Sequence, residues 1–232
     1  VEGRSEEEKS RMICRILFTV LFVAFAGTAV LAASPRTVTW DDLVPKLEPV
    51  PDPFAHLTMN QRVELGLIAE AREREMSGFE TENGRQGRLS AKNLTRKLRS
   101  EGLDVEDLLA KYADAKAMVA ERGRMVVGSL EAQAVRLAGY ILPLEFTGTA
   151  VTEFLLVPYV GACIHVPPPP PNQIVYVRSR DPFTSEDLYT AVWVTGRMTV
   201  ASTTKSLSLV DGSAPIATGY TMAADRIEPY KE

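Results

Sequence analysis

The chain has 232 residues, 45% of them hydrophobic and 24% charged, the ordinary balance of a globular protein whose ordered part folds unaided. Its formal net charge is −4 and no lysine/arginine run interrupts it. Nucleic acid is therefore not an expected partner, because neutralising phosphates takes a concentrated basic surface.

Residues 16–33 (ILFTVLFVAFAGTAVLAA) carry no charge and follow Lys9, Arg11 and Arg15. Val30 and Ala32 stand where a leader peptidase reads small residues, so residues 1–32 read as a secretory signal peptide cut before Ala33. The alternative is an uncleaved anchor in the inner membrane, since about 18 apolar residues just span a bilayer. Cys14 precedes the apolar run, the wrong side for a lipoprotein cysteine. The expected location is the periplasm, and the exported chain keeps one cysteine, Cys163. In an oxidising compartment a lone cysteine is buried, bonded to a partner chain, or kept as a ligand or nucleophile.

Residues 33–57 contain Pro35, Pro45, Pro49, Pro51 and Pro53 and read as an extended arm. Trp40, Leu43, Val44, Leu47 and Phe54 are its expected anchors. Residues 58–123 read as three helices. The first opens at Thr58 with Gln61 completing a capping box and Val63, Leu67 and Ala71 as its apolar stripe. Residues 79–90 (FETENGRQGRLS) read as a polar loop, leaving a short second helix near 91–100 with Leu94 and Leu98 inward. The third opens at Asp104, turns Val105, Leu108, Tyr112, Ala115 and Val119 inward, and stops near Gly123. The arginines and glutamates of these helices read as a solvated face.

From about residue 134 the period becomes that of strands: 134–144, 152–159, 173–179, 189–202 and 214–230 are rich in β-branched and aromatic residues, with turn signals between them. Glycines inside the first, fourth and fifth permit the bulges of a strongly curved barrel. The expected fold is α+β: an N-terminal helical segment on an OB-like five-stranded antiparallel barrel over 124–232, with a small β-sandwich as the alternative.

Cys163 and His165 stand two residues apart, directly before Pro167, Pro168, Pro169, Pro170, Pro171 and Asn172. Thiolate and imidazole are good ligands for zinc, and Glu145 and Glu153, near strand ends, are candidates to complete a four-coordinate site. A pentaproline is locked into an extended polyproline II rod, able to stiffen the turn or to dock in an aromatic groove of a partner. The run thus reads as a metal site, as a buried structural turn, or as thiol chemistry. His56, the other histidine, reads as a surface residue. No Cys-x-x-Cys, His-Glu-x-x-His or phosphate-cradling glycine loop is present, so catalysis is not expected.

WDDLVP (40–45), LAGYILPLE (137–145), EFLLVPYVGACIHVPPPPPNQIV (153–175) and GYTMAADRIEPY (219–230) resemble the bacterial exported family catalogued as domain of unknown function 3299. The resemblance runs over roughly residues 37–230. It implies a periplasmic protein, in some cases encoded beside an ATP-binding-cassette transporter and a zinc-responsive periplasmic protein. The function it points to is a zinc-binding accessory of an envelope transport system. A non-catalytic interaction module for another periplasmic protein is the alternative.

Overall fold

A computed structural model describes residues 34–78, 82–144, 150–162, 168–184, 189–209 and 212–231. The apolar N-terminal segment, Glu145, Cys163, His165 and Pro167 lie outside the described residues. Three α-helices precede the strands: α1 (Met59–Met76), α2 (Glu82–Ser100) and α3 (Val105–Arg122). α1 begins as its capping box dictates, with the Gln61 amide N–H donating to Thr58 Oγ1 and the Thr58 N–H donating to Gln61 Oε1. The Asp104 carboxylate accepts from the Glu106 and Asp107 amides and opens α3, which ends at Gly123.

Three helix expectations change. The polar stretch from Glu82 to Ser90 is helical, so α2 is nineteen residues long rather than a short piece after a loop. Gly84 and Gly87 each cost a helix about 1 kcal/mol, a penalty that packing against α1 outweighs. On α1 the buried face is Leu65, Ile68 and Ala69, and Val63 and Leu67 point outward. α1 carries apolar residues on two opposite sides, and only tertiary packing chooses between them. α3 buries Val105 and Leu108 and half-buries Tyr112 and Ala115. Lys116 still reaches Glu73 of α1, but Val119, three residues on, is 70% exposed.

The described residues hold eight strands: β1 (Arg36–Val38), β2 (Ala134–Pro143), β3 (Ala150–Val157), β4 (Val175–Thr184), β5 (Ala191–Thr199), β6 (Thr203–Leu209), β7 (Gly212–Thr218) and β8 (Tyr220–Pro229). Strands β2, β3, β4, β8 and β5 pair in that order, and β5 closes on β2. By position along the chain this is the ring 1-2-3-5-4 of an OB-like barrel. Within the ring the expected antiparallel arrangement holds for every pair but one: β4 and β8 are parallel, with Val175 opposite Tyr220. A closed ring with an odd number of strands cannot alternate direction all the way round, so one parallel pair is unavoidable.

The arm contributes β1, parallel to β2, and Trp40, whose indole N–H donates to Ala138 O at 2.8 Å. Leu43 is fully buried under the barrel, whereas Val44 and Leu47 are exposed. The last expected strand is two. Gly219 divides them because its N–H meets Pro171 O at 2.6 Å and a Cβ there would stand 2.9 Å from that oxygen. Opposite Gly196 the register shifts past Asp225 of β8, and the Ala223 carbonyl comes within 2.3 Å of where a Cβ would sit.

Inside the barrel pack Val135, Leu137, Ile141, Phe154, Leu156, Val175, Val177, Val192, Val194 and Met222. A second core lies on its outer wall, where Leu142, Leu155, Val157 and Tyr176 are covered by Leu207 and Ile216 of the β6–β7 hairpin. There the in–out alternation of the strands gives way to burial on both faces. Pro35–Glu232 forms a compact unit that contains all of these cores.

Candidate functional site

The Cys-x-His-poly-Pro run enters and leaves the described structure at two fixed points. Before it, Ala162 is buried and its carbonyl accepts from the Tyr189 hydroxyl at 2.6 Å. After it, Pro168 and Pro170 are exposed and Pro169 is buried. Asn172 is 1% exposed, so it presents no surface to a partner. Its Nδ2 donates to Arg122 O at 3.0 Å and Met125 O at 2.9 Å, and its backbone N–H donates to Gly123 O at 2.9 Å. Arg122 closes α3, Gly123 caps it and Met125 lies on the turn just beyond, so Asn172 fastens the end of the proline rod to the exit from α3. Gln173 Nε2 donates to Trp40 O at 2.8 Å. The residues after the proline rod therefore join the arm, the helices and the barrel.

Of the four residues considered as metal ligands, Glu153 alone is described. It lies four residues up β3 from Val157, about 13 Å along the strand from the end that leads into the Cys-x-His run. Its oxygens are already engaged: Oε2 accepts from the Tyr176 hydroxyl at 2.7 Å and Oε1 stands 3.3 Å from Arg178 Nε. His56 is exposed on the arm.

Around Glu153 lies a cluster that residue spacing did not single out. Tyr176 is buried on the outer wall of the barrel, and Lys205 Nζ of β6 sits 3.9 Å over its ring. Burial, then the hydrogen bond to the Glu153 carboxylate, pushes the Tyr176 phenol up to about 12, so it remains a neutral donor at physiological pH. Beside the cluster an open groove of about 520 Å³ runs between Leu144, Val151 and Thr152 on one side and Lys205, Ser206 and Ser208 on the other. In OB barrels the faces of strands two and three, bounded by the loops after strands one and four, take ligands. The groove occupies that position, with the β6–β7 hairpin as the second of those connections. The sequence signal is the apolar run IVYV (174–177) leading into β4: a stretch with no polar face needs a covering layer on each side.

The profile of the family described as "Protein of unknown function (DUF3299)" matches residues 40–229, from the arm through the last strand. The chain belongs to the DUF3299 family. A crystal structure of a DUF3299 protein from Pseudomonas aeruginosa PAO1 is similar at 30% identity, over 86% of this chain and 99% of that one, with a TM-score of 0.47. No curated protein matches the chain. Each segment that carried the resemblance falls within the DUF3299 match or overlaps it by all but its last residue. No helix among the described residues is long and apolar enough to cross a membrane.

Proposed function

We propose that this DUF3299 chain is a non-catalytic binding module of the cell envelope, in which the Cys-x-His-poly-Pro run is a rigid structural turn. The observation that carries this reading is Asn172: the residue closing the proline rod is buried and spends its amide on the end of α3. A rod fixed so firmly to the scaffold serves to position the chain. Glu153, engaged with Tyr176 and Arg178 well up the strand, is better explained as part of the groove than as a metal ligand alongside Cys163 and His165. The groove beside Lys205 and Thr152 supplies the binding face, by analogy with other OB barrels. Export by the uncharged apolar segment 16–33 supplies the address.

The test is metal analysis of the exported protein purified without chelator, beside Cys163→Ser and His165→Ala. Substoichiometric zinc in all three, with unchanged melting, is the expected result. One equivalent of zinc that disappears in both variants would restore the metal-accessory reading and, with it, a role beside a transporter.

A further inference from the structure

The charges of the helical region are sorted by helix. On α1 and α3 they pair off: Arg74 with Glu70, Lys111 with Asp107, and Lys116 with Glu73 at 2.7 Å. α2 instead carries Arg85, Arg88, Lys92, Arg96, Lys97 and Arg99 against one acid, Glu82. All but Lys97 follow helical spacing, and at 100° per residue those five fall within a strip about 80° wide and roughly 21 Å long. Ala91 and Leu98 lie on the other side of the helix, buried in the core it shares with Ile68 and Val105.

Arg72 of α1 joins the strip, and with Arg88, Lys92, Arg96 and Arg99 it borders an open groove of about 500 Å³. Two acids oppose them. Glu75 borders the same groove, and Glu106 holds Arg72 at 2.7 Å and Arg99 at 3.0 Å. The middle of the strip is not neutralised: Lys92 makes no ion pair among the described residues, and Arg96 makes only a 3.3 Å hydrogen bond to Asn93 Oδ1 of its own helix. Leu89, at the edge of the strip, is 65% exposed, and Met76, at the adjoining end of α1, is 80% exposed.

We infer that this face of α2 docks on an anionic phospholipid surface. Lys92 and Arg96, uncompensated at the centre of a strip of five cations on one side of a helix, match the phosphates of lipid headgroups, and each adjacent Lys or Arg contributes roughly a fivefold gain in partition. Leu89 and Met76 supply the apolar contact that an interfacial helix inserts beside its charges. A nucleic-acid partner would leave those two side chains without a role. It would also meet a strip with no aromatic platform for bases on a chain of net charge −4. The inference rests in part on the envelope reading, because that address puts the chain beside anionic lipid.

The test is co-sedimentation of residues 35–232, the compact unit without the apolar leader, with vesicles of phosphatidylglycerol and phosphatidylcholine or of phosphatidylcholine alone. Binding to the anionic vesicles that fades as salt rises is expected. K92E/R96E should weaken it about 30-fold or more, and Leu89→Ser should weaken it without changing its salt dependence. Lys111→Glu, on α3, should bind as the parent does. Equal binding to both vesicle types, no effect of K92E/R96E, or a preference for duplex DNA or RNA over vesicles would overturn the inference. The assay uses purified components, so a chain found in the cytosol would remove the export reading without altering its outcome.

Discussion

Removing one oxygen from Tyr220 tests how the arm, the helices and the barrel are joined. Tyr220 is fully buried at the start of β8. Its hydroxyl donates to Leu43 O on the arm at 2.6 Å and accepts from the Val127 N–H, on the link between α3 and the barrel, at 2.7 Å. Tyr220→Phe keeps the ring and its packing but strips a donor from one backbone carbonyl and an acceptor from one backbone N–H. Leaving a buried polar group unsatisfied costs about 1–3 kcal/mol, so the pair should cost about 2–4 kcal/mol. In a unit of this size that lowers the melting temperature by roughly 5–12 °C. Urea unfolding followed by circular dichroism should show the midpoint falling with the slope unchanged. A loss below about 0.5 kcal/mol would refute the view that this hydroxyl ties three segments together.

Two glycines should respond in opposite senses to alanine. Gly196→Ala drives a Cβ to 2.3 Å from the Ala223 carbonyl and should destabilise the barrel by about 3 kcal/mol or more, whereas Gly87→Ala meets nothing within 4 Å and should stabilise α2 by about 0.5–1 kcal/mol; paired urea titrations check both. Burial raises the phenols of Tyr176 and Tyr220 in the folded state, Tyr176 to about 12. Native protein then holds more protons than unfolded chain above pH 10, so their contribution is complete below pH 10 and lost as pH climbs toward 12, which alkaline melting curves should show. The Arg72 guanidinium, with Arg99 behind it, holds the Glu106 carboxyl below its usual value. That contribution is present above the ordinary glutamate range and lost on acidification. Because Glu106 is well exposed, Glu106→Gln should cost no more than about 1 kcal/mol, and less in high salt.

The parts of the fold legible in the sequence are those where one local rule decides. Thr58 with Gln61 and Asp104 with the amides after it mark helix starts, because a capping side chain acts within its own turn. β2 and β5 alternate buried with less buried positions, so period alone reveals them. The β6 segment TTKSLSL was not legible, since the deeply buried Leu207 sits among hydroxyls and a lysine. Its identity as a strand comes from β7 opposite it and from the outer barrel wall beneath. The same hairpin hid the groove, because Glu153, Tyr176 and Lys205 come from three separate strands and meet only when it folds down. The Cys-x-His-poly-Pro run was conspicuous because it is chemically unusual. The residue that fastens it, Asn172, is an ordinary polar side chain whose importance depends on where α3 ends.

The basic strip failed to show for a related reason. Along the chain its members are separated by glycine, glutamine, serine and asparagine, so no run of like charge is visible. Reading residues 79–90 as a loop also detached Arg85 and Arg88 from Lys92, Arg96 and Arg99. A loop has no period, and without one five cations have no common direction. Once the stretch from Glu82 is helical, spacings of three, four, four and three place all five on one side. The two glycines that argued for a loop weaken the helix by about 1 kcal/mol each, too little to offset the packing of α2 along α1. A modest error in local propensity thus concealed the largest one-signed feature of the helical region, and the same tertiary contact that corrects the helix assembles the surface.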